Sequence, residues 1–167
     1  MILSFIISAL ILFVDQLTKF LIYGQPAKSI FGNLLWFESS LNTGVAFSMF
    51  EGNSLIFAII SLVASCVFVW LICSKRFFTS RFEKVSLSLI LAGTLSNAFD
   101  RIIFGGVRDF IYLKFINFAI FNVADMAITI GAGLLCLAIL LSAFKDQKTN
   151  KIVKSETKEG ENDRIEF

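Results

Sequence analysis

Four apolar segments of membrane length alternate with polar links along the chain. The first runs from Met1 to about Ile22, the second from Ser54 to Cys73, the third from Val85 to about Ile103 and the fourth from about Asn122 to Phe144. A helix needs about 20 apolar residues to cross a hydrocarbon core of about 30 Å, so each predicts a transmembrane helix. The second has no charged residue, and the fourth has none after Asp125. The other two are interrupted near one end. In the first, the charge-free part stops at Val14, where DQLTK begins. Fourteen helical residues reach only about 21 Å, which places Asp15 and Lys19 in the outer part of the span or at its interface. The third segment closes on SNAFDR. The first is read as a span and not as a cleaved signal peptide, because no basic leader precedes it and no small-x-small site follows.

The links differ in character. The stretch Tyr23 to Asn53 contains SIFGNLLWFESSLNTGVAFSMF, too apolar for a solvated connector; its glycines, short apolar runs and Trp36 predict a small sheet or half-helix on the membrane surface. Lys75, Arg76, Arg81 and Lys84 crowd the second link, and Lys145, Lys148, Lys151 and Lys154 follow the last span. Basic residues mark the cytoplasmic side, so both termini are expected inside and the first and third links outside, although Arg108 and Lys114 weaken that bias for the third link. The charged tail, residues 145–167, has almost nothing apolar to bury and is expected to be disordered beside a membrane domain of residues 1–144. Small residues at steps of four, Ser88, Ala92 and Ser96 in the third segment and Ala127 and Gly131 in the fourth, would let helices approach closely.

Composition agrees with an all-α membrane protein: 56% of the 167 residues are hydrophobic and 17% charged, against about a quarter charged in soluble domains. Histidine is absent, which excludes a Ser-His-Asp triad, a Cys-His pair and an HExxH zinc site. Cys66, Cys73 and Cys136 all fall inside apolar runs and are read as small buried hydrophobes, with no disulfide or metal role.

On the predicted topology the unusual polar residues gather at the outer face: Asp15, Lys19, Asn42, Asn97, Asp100, Arg101, Asp109, Asn122 and Asp125. Ionisable side chains at membrane depth are costly and are functional candidates. Structural roles compete with functional ones. Asp15 and Lys19, four apart with the acid first, fit a helical ion pair. Asp100 and Arg101 fit another, one turn after Asn97. Asn122 and Asp125 fit an N-cap with an acid at the third position. Asp109 has no such role, lying in a link between Val107 and Phe110 with only Arg108 as a neighbouring base. It precedes Asp125 by sixteen residues, enough chain to fold back and face it. Two carboxylates held close share a proton, so one can activate water while the other protonates a carbonyl oxygen. Such a pair hydrolyses an amide without histidine, serine or metal.

In this order DQLTK (Asp15 to Lys19), NTGVAFS (Asn42 to Ser48), SNAFDR (Ser96 to Arg101), VRDF (Val107 to Phe110) and FNVAD (Phe121 to Asp125) resemble the five motifs of the bacterial lipoprotein signal peptidases, the type II signal peptidases. The likeness covers residues 1 to about 144. It implies four transmembrane helices with a small β-rich outer loop, a β-cradle, between the first and second. It implies an intramembrane aspartic endopeptidase with Asp109 and Asp125 catalytic, and Asp15, Lys19, Asn42, Asn97, Asp100, Arg101 and Asn122 lining or bracing the site. The implied substrates are diacylglyceryl-modified prolipoproteins, cut just before the lipidated cysteine; the implied setting is the lipid of the bacterial cytoplasmic membrane, as a monomer, with no cofactor, no metal, no nucleic acid, and globomycin-type inhibitors as ligands. Three positions depart from the family pattern: Ser96 stands where glycine is usual, Ala119 where proline often precedes FN, and Met126 where serine often follows the aspartate.

Two other classes compete. A small transporter or proton channel also uses intramembrane acids, but these acids cluster at one face and the second span has none. A purely structural membrane subunit would leave Asp109 without a task.

Overall fold

The computed structural model describes residues 1–44, 49–74, 76–78 and 80–162. Four helices are long and apolar enough to cross a membrane: α1 (Ile2–Ile22), α2 (Ser54–Cys73), α3 (Arg81–Phe104) and α4 (Val123–Asn162), with the apolar part of α4 ending at Lys145. The four spans read from hydropathy are all present. α3 begins at Arg81 and not at Val85, because Ser80 and Glu83 form a capping box that satisfies the first turn. α4 continues past its apolar span as far as Asn162, through a lysine- and glutamate-rich stretch of good helix formers. Val45 to Ser48 of the second motif, and Lys75 of the basic link, lie outside the described residues.

Side chains sort inside-out relative to a soluble bundle. On α1 the buried residues are Ser4, Ser8, Asp15 and Lys19, one stripe of the helix, while Ile2, Leu10, Phe13 and Phe20 are exposed. This is what lipid demands: large apolar groups gain nothing by leaving hydrocarbon, whereas small and polar groups gain close packing and partners inside. The three cysteines are free and exposed, so they belong to the outward, lipid-compatible surface and not to the buried interior expected for them.

α3 is the helix around which the others pack, touching α1, α2 and α4. Ser88, Ala92 and Ser96 are all fully buried on it, and the Ser8 hydroxyl donates to the Ser88 carbonyl at 2.9 Å, tying α1 to α3. Gly93 lies so close to the start of α4 that a Cβ there would run into the Ala124 carbonyl. That approach decides the site, since Asn97, one turn beyond Gly93, is thereby carried to Asp125.

Three strands, β1 (Lys28–Phe31), β2 (Leu35–Asn42) and β3 (Val107–Leu113), form an antiparallel sheet in the order β1-β2-β3. The link between α1 and α2 thus supplies two strands, as its apolar content predicted. The third comes from beyond α3, and it places Asp109 on a strand where the sequence had only a link. Gly105, with φ 71°, ends α3 in the left-handed region and turns the chain into β3. Ser40 pairs with Asp109, and Asn42 with Val107.

Candidate active site

The site is assembled in three tiers between the C-terminal end of α3, the start of α4 and the sheet. The lowest is a buried ionic network. Lys19 Nζ lies 2.7 Å from Asp15 Oδ2 and 3.2 Å from Asp100 Oδ2, all three side chains fully buried. Arg108 Nη2 lies 2.8 Å from Asp100 Oδ1 and donates to Gln16 Oε1 at 2.7 Å. The remaining carboxylate capacity is taken up: Asp15 accepts the Ser96 hydroxyl at 2.6 Å and the Ala124 backbone N–H at 2.8 Å, and Asp100 accepts Gln16 Nε2 at 2.9 Å and the Arg108 N–H at 3.0 Å. Two acids face two bases, so the tier is neutral in itself, the condition for burying charge without a large cost.

Asparagines form the second tier, and their donor and acceptor ends are fixed by what they meet. Asn97 Oδ1 accepts from Lys19 Nζ at 3.0 Å and from Asn122 Nδ2 at 3.2 Å, leaving its own Nδ2 to donate to Asp125 Oδ1 at 2.8 Å. Asn122 Oδ1 accepts the Asp125 N–H at 2.9 Å while its Nδ2 donates to Asp109 Oδ1 at 2.6 Å. From the sheet, Asn42 Nδ2 donates to Asp109 Oδ2 at 3.3 Å.

Asp109 and Asp125 are the third tier. Asp109 is 2% exposed. Burial, and next the charge of Asp125, push its carboxyl up to about 7, against the lowering effect of hydrogen bonds from Asn122 and Asn42 and of the Lys19 charge. Both aspartates line one cavity of about 430 Å³, together with Asn42, Asn97 and Arg101. Arg101 Nη2 donates to the Gly44 carbonyl at 3.1 Å and the guanidinium lies 5.9 Å from the Phe57 ring centre. One cation facing two carboxylates balances when the pair holds a single proton, the state that pairs a base with an acid.

All nine sequence-selected residues meet in this region. Asp15 and Lys19 do form the helical ion pair, and they also join Asp100 and Asn97. Asn122 and Asp125 do form the cap, with Asp125 Oδ2 accepting the Asn122 N–H at 3.2 Å; the same side chains also reach Asp109 and Asn97. The proposed Asp100–Arg101 pair is corrected: adjacent helical residues diverge, so Asp100 turns to Lys19 and Arg108 while Arg101 turns to the cavity. Sequence reasoning missed Gln16 and the structural use of Arg108. Their signal was position, since each lies inside a motif beside a selected acid. Ser96, a departure from the family pattern, puts its hydroxyl to use, donating to Asp15 and accepting Gln16 Nε2 at 2.8 Å.

Fold and site together define a small multi-pass membrane protein with a paired-carboxylate cavity. A family model described as signal peptidase (SPase) II matches residues 7–141. The chain belongs to this signal peptidase II family. It is 36% identical over 157 residues to the lipoprotein signal peptidase of Enterococcus faecalis, covering 92% of this chain and 94% of that one. With the lipoprotein signal peptidase of Streptococcus pneumoniae the identity is 38% over 139 residues, covering 81% and 90%. A solved structure described as a bacterial membrane enzyme, obtained by the in meso method, superposes with a TM-score of 0.76 at 31% identity, covering 84% of this chain and 88% of that one. A second, described in the same terms, gives a TM-score of 0.71 at 32% identity, covering 82% and 92%.

Proposed function

We propose that the chain is an intramembrane aspartic endopeptidase that removes the signal peptide from diacylglyceryl-modified prolipoproteins, cutting before the lipidated cysteine, with Asp109 and Asp125 as its catalytic pair. The observation that carries this reading is that two carboxylates from separate elements, β3 and α4, line one cavity and are both held by Asn122, whose side-chain amide donates to Asp109 and whose backbone N–H donates to Asp125. The ionised member takes a proton from water as the water oxygen attacks the scissile carbonyl. Its partner donates its proton to the carbonyl oxygen. When the tetrahedral intermediate collapses, the carbon–nitrogen bond breaks and the leaving amine of the cysteine takes up a proton from the pair. Asp109 is suited to hold the shared proton at neutral pH, its carboxyl lying at about 7.

The supporting residues divide the remaining work. Asn97, Asn122 and Asn42 aim the carboxylates, Asp15, Lys19 and Asp100 anchor the asparagines to α1 and α3, and Arg101 offers charge to the cavity. The reading places the site near the outer face of the bacterial cytoplasmic membrane with both termini inside. It takes the enzyme to act as a monomer in lipid. A globomycin-type cyclic peptide would occupy the same cavity, its hydroxyl mimicking the attacked carbon between the aspartates.

Detergent-purified protein incubated with a lipidated precursor tests this. A shortened product that disappears in Asp109→Asn and Asp125→Asn is expected. A folded preparation that yields no product, or that keeps full activity in both variants, overturns the reading.

A further inference from the structure

Asp109 also lines a second cavity, of about 380 Å³, which shares Asn42, Phe118, Ala119 and Ile120 with the first. The two differ in what else surrounds them. The first reaches among the helices, to Ser61, Thr94 and Ile128. The second lies against the sheet and is walled by Glu38, Ser40 and Tyr112. Glu38, Ser40 and Asn42 of β2 all line this second cavity; Glu38 lies at the irregularity that interrupts the β2–β3 register between Phe37 and Ser40, a feature that re-aims a side chain out of regular alternation. The row leads to the dyad: Asn42 donates to Asp109, and Ser40 is its register partner.

A transmembrane signal peptide belongs with the cavity among the helices, so the polypeptide beyond the cut falls to the one against the sheet. Glu38 stands two residues from Ser40 on the strand, at most about 7 Å along the chain. An extended substrate therefore brings a side chain near Glu38 within about two residues of the cut cysteine. Among the described residues the lining contains two acids, Glu38 and Asp109, and no base. Among the described residues Glu38 makes no ion pair, and it is half-buried. The neighbouring lysines do not fill the cavity: Lys28 is exposed opposite Phe37, and Lys114 Nζ sits 3.8 Å from the centre of the Trp36 ring.

We propose that Glu38 is a specificity-determining residue that favours a basic side chain, and disfavours an acidic one, at the first two positions after the lipidated cysteine. The inference rests on the endopeptidase reading above. A half-exposed acid gives a modest effect, a few-fold for each unit of substrate charge.

Three lipidated precursors, identical except for lysine, serine or glutamate at those two positions, separate the possibilities. For the wild type, kcat/KM for the lysine precursor should exceed that for the glutamate precursor by roughly fivefold, and the ratio should shrink towards one as salt rises, because a half-exposed charge is screened. Glu38→Gln should bring the ratio near one at low salt, and Glu38→Lys should invert it. Ratios are taken within each variant, so a general loss of activity cancels. Equal cleavage of all three precursors by the wild type overturns the proposal, as does an unchanged ratio in Glu38→Gln. Should the variants fail to fold, the wild-type salt series decides: a ratio indifferent to salt overturns it. If no precursor is cut at all, the endopeptidase reading itself has failed.

Discussion

Asn122 donates its side-chain N–H to Asp109 at 2.6 Å, so the residue that caps α4 also holds the acid on β3. Its carbonyl end is committed to the Asp125 N–H, and the amide is thereby fixed in orientation by both aspartates. A cap for α4 and a tether for the carboxylate on β3 are here one side chain.

Asn122→Ala should therefore lower both stability and rate. Losing a cap costs about 1 to 2 kcal/mol, and the loss of the Nδ2 donor takes from Asp109 its 2.6 Å hydrogen bond and leaves it the longer one from Asn42 at 3.3 Å. Thermal unfolding in detergent beside single-turnover cleavage measures both. A variant that melts earlier but cleaves at the wild-type rate would confine Asn122 to capping.

The raised carboxyl of Asp109 sets a pH dependence. Its ordinary value is 3.8 and its folded value about 7, so the folded state binds a proton that the unfolded state has released between those limits. The Asp109 contribution to stability consequently falls as pH rises through that window and is least unfavourable in acid. Activity should decline on the alkaline side with an apparent midpoint near 7, where the pair loses its shared proton. Asp109→Asn should remove that stability slope. A cleavage profile flat from pH 6 to about 9 would contradict the shared-proton mechanism.

Lys19→Met tests the buried tier. It leaves Asp15 without its cation and Asp100 with Arg108 alone, and breaking a buried pair by removing one partner costs about 3 to 5 kcal/mol. Adding Asp15→Asn should recover part of the loss, because asparagine can still accept the Ala124 N–H while carrying no charge. Thermal unfolding of the single and double variants reads this directly. A loss under about 1 kcal/mol would mean that the network is not a stabilising unit.

The spans were legible because lipid imposes a simple rule, apolar runs of one length, and α2 occupies the bounds read for it. The residues of the site were legible because charge inside such a run is conspicuous. Partners were not. Nothing in the order of letters says that Asp100 turns to Arg108 instead of Arg101, which depends on β3 folding back beneath α3. Nor could Asp109 be placed on a strand, since β3 pairs with β2 across the length of two helices. Cys66, Cys73 and Cys136 were misread for a related reason: hydrophobicity identifies a span but does not say which of its faces meets lipid.

Orientation is a further prediction. The second link and the tail carry the basic excess, and the two bases that blurred the third link are both engaged, Arg108 with Asp100 and Lys114 over Trp36. A reporter fused after Lys145 should be cytoplasmic, and one inserted beside Lys28 should be external. The reverse result would put the aspartates at the inner face.

Asp125 is both a cap and a candidate catalyst, and isosteric substitution separates the two. Its Oδ2 accepts the Asn122 N–H, a bond asparagine can also make, while the amide nitrogen then faces Asn97 Nδ2 in place of Oδ1, so Asp125→Asn should cost about 1 to 3 kcal/mol of stability. An amide can neither hold the shared proton nor accept one from water, so turnover should fall by several orders of magnitude. Asp109→Asn should behave alike, and the double variant should be scarcely worse than either single one, because the two acids act as a unit. Single-turnover cleavage of a lipidated precursor, with thermal unfolding of the same preparations, compares all three. Additive losses would mean two independent roles instead of a dyad. Should Asp125→Asn melt early yet retain substantial activity, capping is its function and the second acid lies elsewhere, with Asp100 next in line despite its commitment to Lys19 and Arg108.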